Sequence, residues 1–411
     1  MKTSYDVIVV GARVAGASLA YELSKVGFEV LLLDKAQFPS ETLSTHNFLN
    51  NSLAMLREMG VLDSLLQTNT PLYSRAYMQF DDTVIDGRFP MVEGETECLC
   101  IRRKYLDLLL QEHALRQPGV TMVEGFRLTD VIKEGDTVTG VKGVYRNGEE
   151  ASFGAKLVVG ADGRLSTLRR IVNSSCLISV PTDFASYVGY YEGYEQDGDI
   201  HVELYKIGDK MGIVFPTSDN SYVAGVMFPL SDEYWKERFQ NSPDSAMLEI
   251  VESGFANAPF SSRLRKAVQV EKVKGLRGYN NDWFQGMGKG WALVGDALSF
   301  KDPVVGQGMP DALYGARILT GILSQYCDWN GNWDRMAEQY HNQMESKMMP
   351  RFQMACQFTK NVPFTEEQHM VNGFIAANPA ATSAFLGVYN RALEPQQLES
   401  IIMEMLEKQQ V

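Results

Sequence analysis

The sequence predicts an α/β protein with an α+β second part, in which two sheet-forming portions are interleaved and a helical C-terminal region follows. Three observations predict this class. The chain opens with a β-branched run, a glycine turn and a helical spacing of apolar residues, as a βαβ unit does. Strand-like runs separated by Gly, Asp and Asn fill 186–275 and predict a mostly antiparallel sheet. Residues 334–409 have a helical pattern throughout.

The composition argues against several classes of protein. Of 411 residues, 38 are Lys or Arg and 51 are Asp or Glu, which leaves a formal net charge of −13. This is too acidic for a protein that binds nucleic acid by neutralising phosphates. No apolar run reaches the roughly 18 residues that a membrane-spanning helix needs. The five cysteines and five histidines form no zinc spacing. We therefore expect a soluble cytoplasmic protein with no metal, no integral membrane association and no nucleic-acid partner.

The first predicted element is a βαβ unit. A strand from Tyr5 is followed by the turn Gly11-Ala-Arg-Val-Ala-Gly16, a helix, and a second strand that ends in Asp34. The two glycines permit a tight turn and close helix–strand packing, and the helix N-terminus offers N–H groups to a pyrophosphate. Asp34 stands 18 residues after Gly16, where a carboxylate can accept both ribose hydroxyls. The unit predicts a dinucleotide site that is compatible with NAD and with FAD.

The later elements return the chain to this sheet after an interruption. Strands are predicted within 72–95, a helix at 104–117, strands at 120–124, 137–145, 156–160 and 291–294, and a helix from about Pro310. No compositional linker separates the parts, so the domains are predicted to be discontinuous. The predicted boundaries are 1–71, 96–180 and 276–330 for the nucleotide domain, 72–95 and 181–275 for a substrate-binding β-sheet domain, and 331–411 for the helical region.

Two further motifs resolve the choice of nucleotide. They are the run from Lys156 to Arg169, which contains Asp162-Gly163, and the run from Trp291 to Gly308, which contains Gly295-Asp296-Ala. Together with the first turn they resemble the three signatures of class A flavoprotein monooxygenases, which share the para-hydroxybenzoate hydroxylase fold. The resemblance implies a Rossmann-like domain with non-covalent FAD. Geranylgeranyl reductases and flavin halogenases share this fold.

The resemblance also implies which residues contact FAD. It places the pyrophosphate on the first turn, the adenosine ribose on Asp34 and the ribityl chain on Asp296, and it matches Arg103 and Asp162 to further cofactor positions. Each has a structural alternative: Asp162 as a turn former, Arg103 as a solvated charge at a helix start, and Asp296 as a strand-end cap. The full predicted cofactor set is Gly11, Ala12, Arg13, Ala15, Gly16, Asp34, Lys35, Arg103, Leu128, Asp162, Gly295, Asp296, Pro303, Gly306, Gly308 and Met309.

The third motif has a physical interpretation of its own. Pro303 fixes the backbone, Gly306 and Gly308 let N–H groups approach a ligand, and Pro310 suits the first turn of a helix. The positive end of this helix would stabilise the negative charge of a reduced flavin. Ser299 replaces the usual family histidine, and Pro310 stands where an asparagine is frequent.

The loop from Phe38 to His46 suggests a catalytic histidine. It resembles a segment of a bacterial subgroup that passes close to the isoalloxazine ring, so His46 could hydrogen-bond the flavin or transfer a proton. The alternative is a histidine that caps or packs the loop. A halogenase would show a Trp-x-Trp-x-Ile-Pro segment, which this sequence lacks, and a reductase usually carries a cysteine in the loop near the flavin, whereas 39–48 has none.

The resemblance implies a monooxygenase that inserts oxygen, through a flavin C4a-hydroperoxide, into an apolar or aromatic small molecule of secondary metabolism. Electrons would come from NAD(P)H bound without a second βαβ domain, or from a separate flavin reductase. The alternatives are a reductase of the geranylgeranyl-reductase type and a flavin-containing binding module without turnover. The β-sheet domain is rich in aromatic residues, of which Tyr205 and Phe215 are the predicted substrate contacts; the alternative is sheet core.

Overall fold

The computed structural model describes residues 2–409 and confirms the predicted α/β class. Contacts divide this chain into two units, each built from three segments. Unit 1 contains 2–42, 103–180 and 280–356, and unit 2 contains 43–102, 181–279 and 357–409. None of the helices described is long and apolar enough to cross a membrane.

The helices are α1 (Val14–Lys25), α2 (Asn50–Met59), α3 (Leu62–Leu66), α4 (Arg103–Leu115), α5 (Thr167–Ile171), α6 (Glu233–Asn241), α7 (Pro243–Gly254), α8 (Pro259–Leu264), α9 (Gly308–Leu323), α10 (Trp333–Phe358), α11 (Glu366–Ala377), α12 (Pro379–Tyr389) and α13 (Pro395–Gln409). The strands are β1 (Ser4–Val10), β2 (Val30–Asp34), β3 (Asn47–Phe48), β4 (Leu72–Tyr73), β5 (Arg75–Phe80), β6 (Thr83–Arg88), β7 (Cys98–Cys100), β8 (Val120–Glu124), β9 (Phe126–Glu134), β10 (Thr137–Tyr145), β11 (Glu150–Gly160), β12 (Cys176–Pro181), β13 (Phe184–Glu192), β14 (His201–Ile207), β15 (Lys210–Thr217), β16 (Ser221–Pro229), β17 (Val268–Leu276), β18 (Asn280–Phe284), β19 (Met287–Gly288), β20 (Trp291–Leu293) and β21 (Ser299–Phe300).

Unit 1 is built on a sheet with the strand order β19-β20-β11-β1-β2-β8, to which the β9–β10 hairpin adds by pairing with β11. Strands β20, β11, β1, β2 and β8 run parallel. The apolar runs at 7–10, 30–33 and 157–159 are buried throughout, as expected when a parallel sheet is covered on both faces. The segments that follow β1, β2, β11 and β20 therefore meet at one edge, where α/β folds bind ligands.

Unit 2 is built on a sheet with the order β17-β13-β16-β15-β14-β5-β6, antiparallel except between β14 and β5. One face packs against the apolar residues of α6, α7 and α8. The other face packs against residues of the small sheet β3-β7-β4 and of α11, α12 and α13. Because successive side chains of a strand point to opposite faces, the two cores contain alternate residues of the same strands.

The observed unit boundaries differ from the predicted domains at 43–71, 96–102 and 276–279, which group with unit 2, and in the C-terminal region, of which 331–356 group with unit 1 and 357–409 with unit 2. Residues 43–71 and 96–102 group with unit 2, because β3 and β4 pair with β7 and tie these segments to Leu72 and Tyr73. Residues 331–356 group with unit 1, where Tyr340 of α10 donates a hydrogen bond to the Leu293 carbonyl at 2.8 Å.

Candidate functional site

The first turn requires glycine at both ends. Gly11 has φ +104°, and a Cβ there would overlap the carbonyl of Ala161, the residue after β11. A Cβ at Gly16 would overlap the carbonyl of Gly11. Arg13, the N-cap of α1, makes no side-chain cap, so the first-turn N–H groups of the helix are left for another acceptor. This is the arrangement that binds phosphate at a helix N-terminus.

Asp34 fixes the same turn from the end of β2. Its carboxylate is buried and accepts hydrogen bonds from the Ala12 amide at 2.8 Å and from the Ala36 amide at 2.7 Å. Each carboxylate oxygen has a second lone pair, so Asp34 can also accept from ribose hydroxyl groups. The neighbouring predicted residue, Lys35, is exposed.

Arg103 and Arg13 share one buried acid. Arg103 donates two hydrogen bonds to Asp107 Oδ1, at 3.0 and 2.8 Å, and Arg13 forms an ion pair with the other carboxylate oxygen. Arg13 also donates to Ser40 Oγ at 2.9 Å and lies over the Phe38 ring. Arg103 is buried, so its alternative interpretation as a solvated charge is wrong. Asp107 was not among the predicted site residues, although an Arg–Asp pair four residues apart on a helix was a visible signal.

Asp162 caps a short helix. Its carboxylate accepts from the Ser166 hydroxyl and from the amides of Thr167, at 2.6 Å, and Leu168, at 3.2 Å. These hydrogen bonds give Asp162 the turn-forming role that was its structural alternative in the sequence. The segment that contains Asp162 still belongs to the site, because it lies against Gly11. Arg169 joins it to the third motif by donating to the Ala297 carbonyl at 2.8 Å.

Asp296 differs from the other acids in having no hydrogen bond from any residue in the range 2–409. It lies in the turn after β20, and a Cβ added to Gly308 would stand 3.7 Å from its Oδ1. Burial raises the pKa of the Asp296 carboxyl, and the positive charges of Lys301 and Arg103 oppose that rise. Asp296 therefore does not cap the strand end, and its carboxylate is left to accept from a ligand.

The loop between Asp296 and α9 is held by buried polar contacts. Asp302 caps the turn at Pro303–Val305 by accepting from the Val304 amide at 3.0 Å, and the Asp302 amide donates to Asn281 Oδ1 at 2.7 Å. Gly306 follows with φ +61°. Helix α9 begins at Gly308, two residues before the predicted start. Pro303 and Gly308 are exposed, and Met309 is half-buried.

These residues fit a dinucleotide with a polyhydroxylated chain. The turns at Gly11 and Gly295 touch each other, since a Cβ on Gly295 would lie 2.9 Å from the Ala15 Cβ. The positive ends of α1 and α9, the free lone pairs of Asp34 and the unpartnered carboxylate of Asp296 all belong to the carboxyl edge of the parallel sheet. The remaining predicted cofactor residue, Leu128, is a buried side chain of β9.

In unit 2, His46 is fully buried in a polar stack. Its Nε2 lies 3.2 Å from the Tyr190 hydroxyl, and the two rings are nearly parallel, with centroids 5.8 Å apart. The Arg102 guanidinium lies 4.6 Å from the centroid of the Tyr190 ring and pairs with Glu271 and Asp219. His46 has φ +37°, which is unfavourable for a residue with a side chain. The sequence did not predict Tyr190 as its partner.

The two predicted substrate residues belong to opposite faces of the unit 2 sheet. Tyr205 donates to Glu203 Oε2 at 2.6 Å and stacks on Phe260 of α8, in the core on the helix side. This core position is the alternative that the sequence left open for Tyr205, and its contact with a substrate stays a prediction. Phe215 lies on the other face with Tyr190.

Glu203 is the centre of a buried polar cluster. Its Oε2 also accepts from Tyr194 at 2.6 Å, and its Oε1 accepts from Gln196 and Arg263, each at 2.6 Å. The carboxylate raises the pKa of Tyr205 further above the value that burial sets. A charge with four hydrogen-bond donors is well compensated, so the cluster has a structural role.

Comparisons with known proteins agree with this site. The family model described as FAD binding domain matches residues 4–346. The digeranylgeranylglycerophospholipid reductase of Methanosarcina acetivorans is 27% identical over 323 residues, 77% of this chain and 74% of that protein. A flavin-dependent monooxygenase of an unknown prokaryotic organism is 26% identical over 399 residues, 90% of this chain and 94% of that protein.

Among solved structures, that of the flavin-dependent brominase Bmp2 superposes with a TM-score of 0.80 at 19% identity, covering 99% of each chain. At this identity the likeness concerns the fold. The family model covers most of the sequence and includes all three motifs of unit 1. The chain therefore belongs to the FAD binding domain family, which confirms the resemblance to flavoprotein monooxygenases and FAD as the nucleotide.

Proposed function

We propose that the protein is a monooxygenase that uses FAD and NAD(P)H to transfer one oxygen atom from O₂ to an aromatic or apolar small molecule of secondary metabolism. The observation that carries the proposal is the FAD site of unit 1, in which the three motifs meet at one sheet edge. Of the two relatives described above, the monooxygenase also matches the longer part of the chain.

Bound FAD would supply the redox chemistry, by accepting a hydride from NAD(P)H and passing two electrons to O₂. The overall balance is RH + O₂ + NAD(P)H + H⁺ → ROH + NAD(P)⁺ + H₂O. The chain has to bind and orient the cofactor, exclude water and control protons. No second dinucleotide fingerprint is present in the sequence, so NAD(P)H would bind in a groove, or a separate flavin reductase would deliver the electrons.

Within unit 1, each part of the proposed site has a distinct task. The N-terminus of α1 would bind the pyrophosphate, Asp34 the adenosine ribose and Asp296 the hydroxyls of the ribityl chain. The N-terminus of α9, reached through Gly306 and Gly308, would stabilise negative charge on the reduced flavin. Arg103 and Arg13, held by Asp107, would set the local positive potential.

His46 is the proposed proton-controlling residue. A buried imidazole that is fixed by the Tyr190 hydroxyl, and has an unfavourable φ, is held in one orientation by its surroundings. His46 would donate a hydrogen bond or transfer a proton to the reacting groups. Phe215, on the same sheet face as Tyr190, is a proposed substrate contact.

Heavy-oxygen labelling tests the reaction type. The holoenzyme is incubated with NADPH, with NADH, or with NADH and a flavin reductase, under ¹⁸O₂, with a panel of planar aromatic and long apolar compounds. We expect a compound that accelerates NAD(P)H oxidation to gain one ¹⁸O atom, and the same incubation with H₂¹⁸O to give unlabelled product. A product without oxygen from O₂ would refute the proposal.

The reductase relative from Methanosarcina makes double-bond reduction the second candidate function. The same panel, tested without oxygen and with dithionite as electron source, should give no product from a monooxygenase. A product that gains two hydrogens would establish the reductase. If no donor reduces the flavin and ligands bind stoichiometrically, the protein is a flavin-containing binding module.

A further inference from the structure

The backbone and the ring of His46 are both held by neighbours in unit 2. The His46 amide donates a hydrogen bond to Ser44 Oγ at 3.0 Å, and the His46 carbonyl accepts one from the Ile101 amide at 3.2 Å. The imidazole stacks on the Tyr190 ring with 7° between the ring planes, and its Nε2 lies 3.2 Å from the Tyr190 hydroxyl. With the orientation of the ring fixed, its chemistry depends on which ring nitrogen carries the hydrogen.

The hydrogen bond between Tyr190 and His46 has two possible directions. The phenol can donate to an Nε2 without hydrogen, or an Nε2–H group can donate to the phenol oxygen. A phenol gives up its hydrogen more readily than a neutral imidazole does, and an imidazole nitrogen is a stronger base than a phenol oxygen. The first direction therefore gives the stronger hydrogen bond, and in a neutral imidazole it places the ring hydrogen on Nδ1.

The Arg102 guanidinium favours the same direction. It lies 4.6 Å from the centroid of the Tyr190 ring, and its side chain is 8% exposed. Ion pairs hold it there, with Glu271 of β17 and, at 3.6 Å, with Asp219 of the turn between β15 and β16. A cation over an aromatic face attracts the π electrons of the ring. The hydroxyl of that ring becomes a better hydrogen-bond donor and a poorer acceptor.

We propose that Tyr190 is a positioning residue, which donates its hydroxyl hydrogen to His46 Nε2 and so keeps the imidazole in the Nδ1–H form. The inference rests on the proposed proton-controlling role of His46 and makes it specific, since Nδ1 becomes the nitrogen whose hydrogen His46 can donate. Tyr190 acts through His46, and Arg102 acts through the Tyr190 ring.

Nitrogen NMR of the holoprotein tests this assignment. Histidine with ¹⁵N in the ring distinguishes the two neutral forms, because a ring nitrogen with hydrogen and one without have widely separated chemical shifts. Spectra are recorded at about pH 8, where free histidine is neutral, and the His46 signals are identified by their loss in His46→Gln. We expect hydrogen on Nδ1 and none on Nε2. An Nε2–H form, or hydrogen on both nitrogens, would overturn the proposal.

A substitution shows whether Tyr190 sets this form. Tyr190→Phe removes the hydroxyl and keeps the aromatic ring, so we expect Nε2 of His46 to gain hydrogen and the single Nδ1–H form to be lost. If Tyr190 only packs against the histidine, the spectrum would not change, and the proposal would fall. Should Tyr190→Phe fail to fold, the spectrum of the wild type still decides between the two directions.

The next residue of β13 provides a matched control. Tyr191 is 1% exposed and lies in the core on the opposite face of the sheet, and its hydroxyl has no hydrogen-bond partner within residues 2–409. Tyr191→Phe therefore removes a buried hydroxyl without touching His46, and the His46 signals should stay at their wild-type positions. Equal changes of the His46 signals in both variants would contradict a specific role of Tyr190.

Kinetics provides a second readout once a substrate is known. Tyr190→Phe should lower kcat by about tenfold, the equivalent of one hydrogen bond, with KM and FAD content unchanged. Tyr191→Phe should leave both kinetic parameters unchanged. A rise in KM without a fall in kcat would assign Tyr190 to substrate binding and overturn the positioning role.

The NMR result is independent of the proposed function, because it requires neither substrate nor turnover. A hydroxyl-dependent Nδ1–H form in a protein that transfers no ¹⁸O would leave the assignment of Tyr190 standing and refute the monooxygenase. An Nε2–H form in an enzyme that transfers ¹⁸O would do the reverse.

Discussion

Removal of Asp107 should destabilise the apoprotein more than the holoprotein. In Asp107→Ala, Arg103 loses both of its hydrogen bonds to Asp107, and Arg13 loses its ion pair. Arg103 is 11% exposed at its side chain and Arg13 is 27% exposed. Breaking a buried pair from one side costs about 3–5 kcal/mol, whereas the partly exposed Arg13 pair adds at most about 1 kcal/mol.

The expected loss can be measured as a melting temperature. For a unit of this size, 1 kcal/mol of stability corresponds to about 2–4 °C in melting temperature. Loss of the buried Arg103 pair alone therefore predicts that the melting temperature of the apoprotein falls by roughly 6 °C or more. Bound FAD would place a pyrophosphate beside the helix end next to Arg13 and compensate part of the excess positive charge. The fall in the holoprotein should therefore be smaller.

The assay compares thermal unfolding of apo and FAD-saturated protein for the wild type, Asp107→Ala and Asp130→Asn. Asp130 is an exposed acid of β9 in the same unit and serves as the control. An Asp107→Ala apoprotein as stable as the wild type, or equal losses of melting temperature with and without FAD, would refute this role of Asp107.

Three further outcomes are expected. Asp296→Asn should lower FAD retention on gel filtration at neutral pH by about tenfold, the equivalent of one charge-assisted hydrogen bond, while Asp130→Asn retains FAD; equal retention would remove Asp296 from the cofactor contacts. His46→Gln should keep FAD but slow turnover by about 10²-fold or more and release more hydrogen peroxide, whereas the exposed His341→Gln should leave kinetics unchanged; matching behaviour of the two would assign His46 to packing. Glu203→Gln, which leaves the Arg263 guanidinium without its buried charge partner, should cost about 3 kcal/mol in thermal unfolding without changing the FAD content of the folded protein; an unchanged melting temperature would count against a structural role.

The parts of the site that the sequence predicted are those encoded by short spacings. Gly11 and Gly16 are needed by one turn, Asp34 follows at the end of the next strand, and Asp296 directly follows a buried strand. Local rules place such residues without knowledge of the tertiary contacts. The roles of Lys35, Leu128 and Met309 toward FAD remain predictions.

The parts that the sequence did not predict depend on long-range pairing. Arg13 meets Asp107, and His46 meets Tyr190, across long stretches of chain whose packing no local pattern specifies. Helices α6, α7 and α8 lie within the stretch 186–275, which was predicted as strands. The capping residue Asp232 and the first-turn Pro243 were the overlooked helix signals.

Tyr205 and Phe215 illustrate a related limit. Both are aromatic residues of neighbouring antiparallel strands, and their composition gives no indication of which face each occupies. The face depends on the register between β14 and β15, in which Glu203 stands opposite Val214. A change of register by one residue would exchange the faces.

The two-sided construction of the unit 2 sheet has a consequence for how substrate range could change over evolution. The Glu203 cluster and the aromatic packing against α6–α8 both lie on one face of the sheet. Substitutions at positions such as Phe215, on the side shared with Tyr190, would leave that network intact. Because Phe215 itself lies in a buried core, only changes that conserve its volume could accumulate there with small losses of stability, and a directed library confined to such changes on this face would retain more folded members than one spread over both faces.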